Sequence, residues 1–179
     1  MKSHRLYEIP FVGLKNGVHR FEFEIEDKFF SEGEQPDFNG CHLLVRLVMD
    51  KNPGFFLLKF EITGSVTVNC DRCGDPFEMP VWDEFDQVVK LVDNPGSVTG
   101  DDAPEVSYIS RTDSHLDVRG WIYEFILLSI PMQRIHSDDG SGNPGCNPIV
   151  LGMLNKMQEP EKKAANPIWK DLEQFRKPS

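Results

Sequence analysis

Basic side chains are scarce in this sequence. Nineteen lysines and arginines stand against 29 aspartates and glutamates, which gives a formal net charge of −10 at pH 7. Proteins that bind naked nucleic acid neutralise phosphates with Lys and Arg and release counterions. An acidic chain repels RNA over most of its surface, so a general RNA-binding role is disfavoured. A partner with a basic surface matches this charge better.

Long apolar runs are also missing. The most hydrophobic stretch, residues 121–130, is interrupted by Glu124 and followed by Pro131, whereas a membrane-spanning helix needs roughly 20 apolar residues. Residues 1–14 contain no apolar block of the kind that marks a signal peptide. We therefore expect a soluble, cytoplasmic protein without a membrane partner.

Cysteine is rare, with four residues in a chain of 179. That number is too small for a disulfide scaffold, and in the cytosol a CxxC segment favours metal or redox chemistry. A phosphate loop of the GxxxxGK type does not occur in the sequence, and the order of predicted elements is not the βαβ alternation of a nucleotide-binding sheet. No group of residues stands out as a catalytic site, so we expect no enzyme activity.

The first part of the chain has the alternation of β-strands. Residues 19–26 alternate Phe or Ile with Glu, the period of a half-buried strand. The apolar segments 41–49 and 55–63 flank the turn sequence DKNPG and predict a hairpin. Further strands are predicted at residues 65–70, after a break at Gly64, at residues 77–92 and in the segment VSYIS.

The later part of the chain has helical periodicity. Residues 116–128 predict one main helix with Asp117 as its N-cap and Leu128 on its apolar stripe. Two Asn-Pro pairs, at 147–148 and 166–167, match an N-cap followed by proline at the first helical position. The predicted class is α+β: an antiparallel sheet or partly closed barrel in the first two thirds, packed by one main helix and short C-terminal helices.

We divide the chain into a single α+β domain at residues 1–157 and a loosely docked segment at residues 158–179. The second segment holds a linker and a final helix that carries Trp169, Leu172 and Phe175. Tryptophan is enriched at the energetic centres of interfaces. These three residues are therefore candidate partner contacts.

An acidic segment precedes the main helix. Residues 83–117 hold nine acidic side chains against Lys90 and Arg111, and Asp101 and Asp102 lie in its polar loop. Such a segment is either a solvated face or a docking surface for a basic partner. On the second interpretation, Asp101 and Asp102 are candidate partner-binding residues.

The segment Cys70-Asp71-Arg72-Cys73 supports three interpretations. A tetrahedral zinc site takes four Cys or His ligands, and a CxxC turn supplies two because its backbone aims both sulfurs at one point. A redox pair needs a helix start that lowers the first thiol's pKa, but Asp75-Pro76 follows here. The third interpretation is a pair of reduced thiols without a metal.

A zinc site would need a second pair of ligands from elsewhere in the chain. His136 and Cys146 bracket one loop with nine residues between them. Cys41, His42 and His115 are the other candidates, although Cys41 begins an apolar strand and also matches a core residue. Spacing alone leaves these choices open.

A strand running into VNCDRCGDPFEMPV precedes an acidic extended segment, then LDVRGWIYEFILLSIPMQRIH, a cysteine-containing loop and a closing NPIWKDLEQF. In this order, over residues 40–177, the segments resemble the YceD family, also called the large ribosomal RNA subunit accumulation proteins. The most specific features are the CxRC turn and the LLSIP helix end followed by His and Cys. The closing segment departs from the family's Asp-Pro-Arg type, and the loop SDDGSGNPG lacks the further cysteines of many members.

The resemblance implies a role in the accumulation of large-subunit ribosomal RNA and an association with a large-subunit ribosomal protein gene. It also implies that Cys70, Cys73, His136 and Cys146 form the family's Cys/His set, which would hold one structural zinc. It implies no firm enzyme activity.

With the charge, these implications favour a non-enzymatic factor that binds a basic ribosomal protein or a pre-large-subunit particle. Contact with ribosomal RNA would then be indirect. The alternatives are a zinc-knuckle protein that binds RNA directly and a thiol redox enzyme.

Overall fold

The computed structural model describes residues 4–32, 35–97, 106–137 and 145–158. It confirms the predicted α+β class. Three short 3-10 helices lie at His4–Tyr7, Asp27–Glu32 and Pro95–Ser97. The strands and helices are β1 (Glu8–Pro10), β2 (Gly17–Glu26), β3 (Asn39–Lys51), β4 (Phe55–Asn69), β5 (Pro76–Val92), β6 (Val106–Ser110), β7 (His115–Asp117), α1 (Arg119–Ser129) and α2 (Pro148–Gln158).

The chain forms two compact units. The first comprises Met1–Asn69 and Pro76–Arg134, and the second comprises Cys70–Asp75 and Ile135–Ser179. The predicted domain boundary at residues 157/158 stays a prediction, because residues 159–179 lie outside the described residues. Within the described ranges, neither helix has the length and apolarity needed to cross a membrane.

The first unit is built on a five-stranded sheet in the order β2-β3-β4-β5-β6. β2 to β5 are antiparallel neighbours, as the predicted hairpin requires, while β6 pairs with β5 in parallel. Among the described strands, β2 and β6 are the two edges, so the sheet is open and does not close into a barrel. β1 and β7 form a separate two-stranded sheet.

One face of the large sheet carries the hydrophobic core. Val45, Leu47 and Met49 of β3 are fully buried, and they alternate with exposed or half-exposed residues, as the sequence pattern predicts. The helix α1 packs on this face. Its Phe125 stacks on Phe85 of β5 with ring centroids 4.5 Å apart and planes 3° from parallel.

The predicted main helix is present, but two details of the prediction are wrong. The N-cap of α1 is Val118 and not the predicted Asp117, because residues 115–117 form β7, in which Leu116 pairs with Ile9 of β1, and α1 begins at Arg119. Asp117 still accepts a hydrogen bond from the Arg119 N–H at 2.9 Å. Leu128 is 62% exposed, since the buried stripe runs through Ile122, Phe125 and Ile126.

Gly64 does not separate two strands, as the sequence suggested; β4 continues through it from Phe55 to Asn69. Its φ of +144° is unfavourable for any side chain, and a Cβ at this position would overlap the carbonyl oxygen of His42. The pairing of β3 with β4 shifts register between Asn39 and His42. The extra residue of this bulge lies in β3, so Gly64 permits a close approach of β4 to the His42 carbonyl inside a long, continuous strand.

Cys41 lies in the core of the first unit, where it is 1% exposed and its thiol faces the carbonyl oxygen of Ile25 at 3.7 Å. Burial, assisted by the nearby Asp27 carboxylate, raises the pKa of this thiol from 9.0 to about 12. The folded protein therefore keeps a proton that the unfolded chain releases once the pH exceeds its ordinary value.

We expect the free energy of unfolding to fall as the pH rises from 9 towards 12. In this range the Cys41 thiol of the unfolded chain releases its proton while the folded protein still holds it, so ionisation favours the unfolded state. The contribution of Cys41 is at most about 1.4 kcal/mol per pH unit. Urea unfolding at several pH values, compared between the wild type and Cys41→Ala, measures it. The variant should lose less stability over this range, and equal losses in the two proteins would contradict the assignment.

Candidate metal centre

The first half of the site is the turn Cys70–Asp75, which joins β4 to β5. The Gly74 N–H donates to the carbonyl oxygen of Cys70 at 2.8 Å, and the Cys70 N–H donates to the carbonyl oxygen of Asp75 at 3.0 Å. Gly74 has a φ of +80°, in the left-handed region that glycine adopts without strain. This backbone holds Cys70 and Cys73 on one side of the turn.

The second half comprises His136 and Cys146. A Cβ on Gly145 would lie 2.6 Å from the carbonyl oxygen of Ser137, so the absence of a side chain lets the segment before Cys146 approach the segment that follows His136. Asn147 then caps α2, because its Oδ1 accepts the Ile149 N–H at 3.0 Å. This confirms the predicted Asn-Pro helix start.

Asn147 also connects the two halves of the site. Its side-chain amide donates to the Asp75 carboxylate at 3.1 Å. One asparagine therefore fixes the start of α2 and contacts the last residue of the CxxC turn. Both partners belong to the second compact unit.

The ligand atoms of Cys70, Cys73, His136 and Cys146 all lie within 4.8 Å of one another. The Cys70 and Cys146 sulfurs are 3.7 Å apart, and the Cys73 sulfur is 3.6 Å from His136 Nδ1. Tetrahedral zinc, with Zn–S of about 2.3 Å and Zn–N of about 2.0–2.1 Å, places two sulfurs about 3.8 Å apart and sulfur and nitrogen about 3.6 Å apart. Two of the distances between donors thus match tetrahedral edges.

The electrostatics of the cluster favour one thiolate. Burial opposes ionisation of Cys70, but hydrogen bonds from the backbone N–H groups of Cys73, His136 and Arg72 and from the His136 side chain lower its pKa to about 6. The pKa of Cys146 is raised, first by burial and then by its hydrogen bond to Cys70 and the charge there. Since metals bind thiolates, Cys70 is prepared for ligation near neutral pH.

The structure brings together the four residues that the family resemblance implied, and it selects the second pair that spacing had left open. The other candidates lie in the first unit: Cys41 is buried in the core, while His42 and His115 are exposed. Ligation of zinc by the four residues stays a prediction. The predicted partner-binding residues Asp101, Asp102, Trp169, Leu172 and Phe175 lie outside the described residues.

The sequence analysis did not identify two features that position the candidate ligands. One is the hydrogen bond between Asn147 and Asp75, and the other is the close approach at Gly145. The one local signal for the close approach is the position of Gly145 directly before Cys146, a candidate ligand. The contact between Asp75 and Asn147 joins positions 72 residues apart, so no local pattern encodes it.

A sequence model of the YceD family, described as large ribosomal RNA subunit accumulation protein YceD, matches residues 58–176. The chain belongs to the YceD family. The match covers more than half of the sequence, includes all four residues of the cluster and confirms the resemblance. No curated protein and no solved structure is a significant match. The YceD description implies a role in the accumulation of large-subunit ribosomal RNA.

Substitution of Gly145 by alanine should weaken zinc binding by this YceD protein. The new Cβ would press on the Ser137 carbonyl and displace Cys146 from the other ligands. Changes to the residues that support metal ligands typically cost 10–100-fold in metal affinity, and we expect a loss of about tenfold. Competition with a chromophoric chelator measures the affinity.

The matched control for this test is Gly152→Ala in α2, where a Cβ would contact nothing within 4 Å. It should leave the metal affinity unchanged, since alanine is the better helix former. Equal affinities for the Gly145→Ala variant and the wild type would contradict the role given to the close approach.

Proposed function

We propose that this YceD protein is a non-enzymatic factor in large-subunit assembly that binds a basic ribosomal protein or a pre-large-subunit particle. The family description supplies the connection to large-subunit ribosomal RNA. The observation that carries the choice of partner is the net charge of −10. A protein of this charge attracts basic polypeptides at long range and repels phosphates.

We also propose that Cys70, Cys73, His136 and Cys146 hold one structural zinc ion. Three thiols and one imidazole are an established donor set for a closed, four-coordinate zinc site. Among the described residues of the second unit, Cys70 and Cys146 are the only buried side chains. A small unit with so little buried apolar surface usually needs a metal or disulfides to fold. Bound zinc would connect the turn, the residues around His136 and the start of α2.

The second candidate function is direct binding of RNA by the CxxC turn. Arg72 lies between the two cysteines and is exposed, so it could contact a phosphate locally despite the acidic charge elsewhere. This candidate predicts that the purified protein binds pre-ribosomal RNA with an affinity that falls with salt and depends on Arg72.

A thiol redox function is the third candidate, and the local structure favours it less. The CxxC turn leads into β5 rather than into a helix, so Cys70 does not occupy the first turn of a helix as redox CxxC cysteines do. The hydrogen bonds of the turn and the four-donor geometry account for the lowered pKa of that thiol. A Cys70→Ser variant that retains full activity in a thiol-independent assay of ribosomal RNA accumulation would remove this candidate.

Affinity purification of the tagged protein from its own cells at low salt tests the choice of partner. We expect a basic ribosomal protein or a pre-large-subunit particle to be recovered, and the recovery should persist after ribonuclease treatment if contact is with protein. Recovery that disappears with ribonuclease would favour direct RNA binding. Recovery of neither a ribosomal protein nor a precursor particle would refute the proposal.

A further inference from the structure

The face of the large sheet opposite the core has an ordered arrangement of side chains. Strand register aligns residues of β2, β3, β4 and β5 in five rows, from Val18–Asp50–Leu57–Val88 to Glu26–His42–Ser65–Pro80. We call this surface the outer face; it comprises alternate residues of 18–26, 42–50, 57–65 and 80–88. It belongs entirely to the first compact unit.

Large apolar side chains are exposed on the outer face. Trp82 is 68% exposed, Val18 is 54% exposed and Leu57 is 44% exposed. Leu57 and Val88 line a shallow groove of about 370 Å³ that Val48 completes. Exposed large apolar side chains that lie together with a groove mark interaction sites, and no described element of the first unit covers Trp82.

The charges of the outer face specify the kind of partner. Seven carboxylates stand against three basic side chains in the five rows. Arg46 forms ion pairs with Glu22 and Glu61, and Lys59 forms one with Glu84, so seven carboxylates minus three basic groups leave an excess of four negative charges. A second copy of this face or a nucleic acid would bring negative charge against it. A basic polypeptide would be attracted.

We propose that the outer face binds a basic segment of a partner protein that alternates apolar residues with Lys or Arg. Its apolar side chains would occupy the groove at Leu57 and Val88, while Asp50 and Asp86, which line this groove together with Lys59, would pair with its cations. A Lys or Arg side chain would stack on the exposed ring of Trp82. This proposal rests on the proposed function, because it assigns the contact with the protein partner to the outer face.

Two variants test the surface without touching the core. Trp82→Ala removes the exposed ring, and Asp86→Lys reverses one charge that lines the groove. The matched controls are Leu128→Ala and Glu124→Lys on the solvent side of α1, which change the same classes of residue away from the outer face. Thermal unfolding of all four variants verifies that each remains folded.

The probe is a labelled synthetic peptide of alternating Lys or Arg and Val or Leu, measured by fluorescence anisotropy. A charge-reversed peptide with Glu and a single-stranded polyuridylate are the comparison probes. We expect the basic peptide alone to bind, with each outer-face variant weakening it about tenfold and each control leaving it unchanged. Equal losses in the control variants, or equal binding of either comparison probe, would overturn the proposal.

The same variants separate this inference from the proposed function. If Trp82→Ala and Asp86→Lys lower the affinity for the peptide while the tagged variants still recover the ribosomal partner at wild-type levels, the outer face is not the site of the contact. The proposed function stands in that case. If the wild-type protein binds the peptide through this face but recovers no ribosomal protein or particle, the surface stands and the proposed function fails.

Discussion

Cys73→Ser is expected to abolish zinc binding and to destabilise the second unit. Serine is close to cysteine in size, but its hydroxyl is a poor zinc ligand at neutral pH, so the variant loses one of four donors with little change in packing. Structural zinc in small domains contributes about 10–16 kcal/mol of apparent binding free energy. We expect elemental analysis to give about one zinc per wild-type chain and almost none in the variant.

The loss should also be visible in local stability. With two buried thiols as the only buried side chains among its described residues, the second unit has little else to hold α2 beside the turn. Amide hydrogen exchange in α2 should therefore approach the unprotected rate in Cys73→Ser or after chelator treatment. The strands β3 and β4 should keep their protection in both cases.

Cys41→Ala is the matched control, because it removes a buried thiol that lies outside the cluster. It should keep the full zinc content and lose about 1 kcal/mol of stability from the small cavity. A wild-type protein purified without chelator that contains no zinc, or a Cys73→Ser variant that retains it, would contradict the assignment of the four ligands.

Gly64→Ala is expected to cause the largest loss of stability in the first unit. The new Cβ would meet the backbone of β3 at His42, where no flexible side chain can move away, and the φ of +144° is strained for alanine. We expect the free energy of unfolding to fall by at least about 3 kcal/mol. Urea denaturation followed by circular dichroism measures the change.

Gly54→Ala provides the comparison for this result. Gly54 precedes β4 in the hairpin turn, and a Cβ there would contact nothing within 4 Å. Its effect should stay within about 1 kcal/mol of the wild type. Similar stabilities for the two alanine variants would show that β3 can move away from Gly64 and that the close approach of the two strands does not require glycine.

Much of the secondary structure of the first unit can be predicted from local sequence patterns. The alternation of Phe or Ile with Glu in β2 and the turn between β3 and β4 are set by nearest neighbours, so their prediction succeeded. Gly64 illustrates the limit of this approach. A glycine inside an apolar run indicates either a break or a close approach of another backbone, and only the partner strand, whose His42 carbonyl lies against Gly64, decides between them.

Long-range pairing explains the remaining differences in the fold. β1 and β7 are three residues each and pair positions more than a hundred residues apart, so neither has a periodic signal of its own. Their pairing takes Leu116 out of the predicted helix. The parallel pairing of β6 with β5 depends likewise on the path of residues 93–105, which composition does not specify.

In the candidate metal centre, too, one half follows from neighbouring residues and the other half depends on contacts between distant parts of the chain. The CxxC turn is encoded within five residues by its cysteines and Gly74. The choice of His136 and Cys146 over His42 or His115 depends on how the chain folds back over more than 60 residues, and spacing could not make it. The family resemblance implied the same four residues that the structure brings together, because the order of segments in a family carries that distant information.

The most direct test of the functional account is the ratio of large-subunit to small-subunit ribosomal RNA in cells that lack this protein. We expect a lower ratio, with accumulation of large-subunit precursors. The wild-type gene should restore the ratio, whereas a Trp82→Ala, Asp86→Lys double variant should not. An unchanged ratio in cells without the protein would contradict a role in large-subunit assembly.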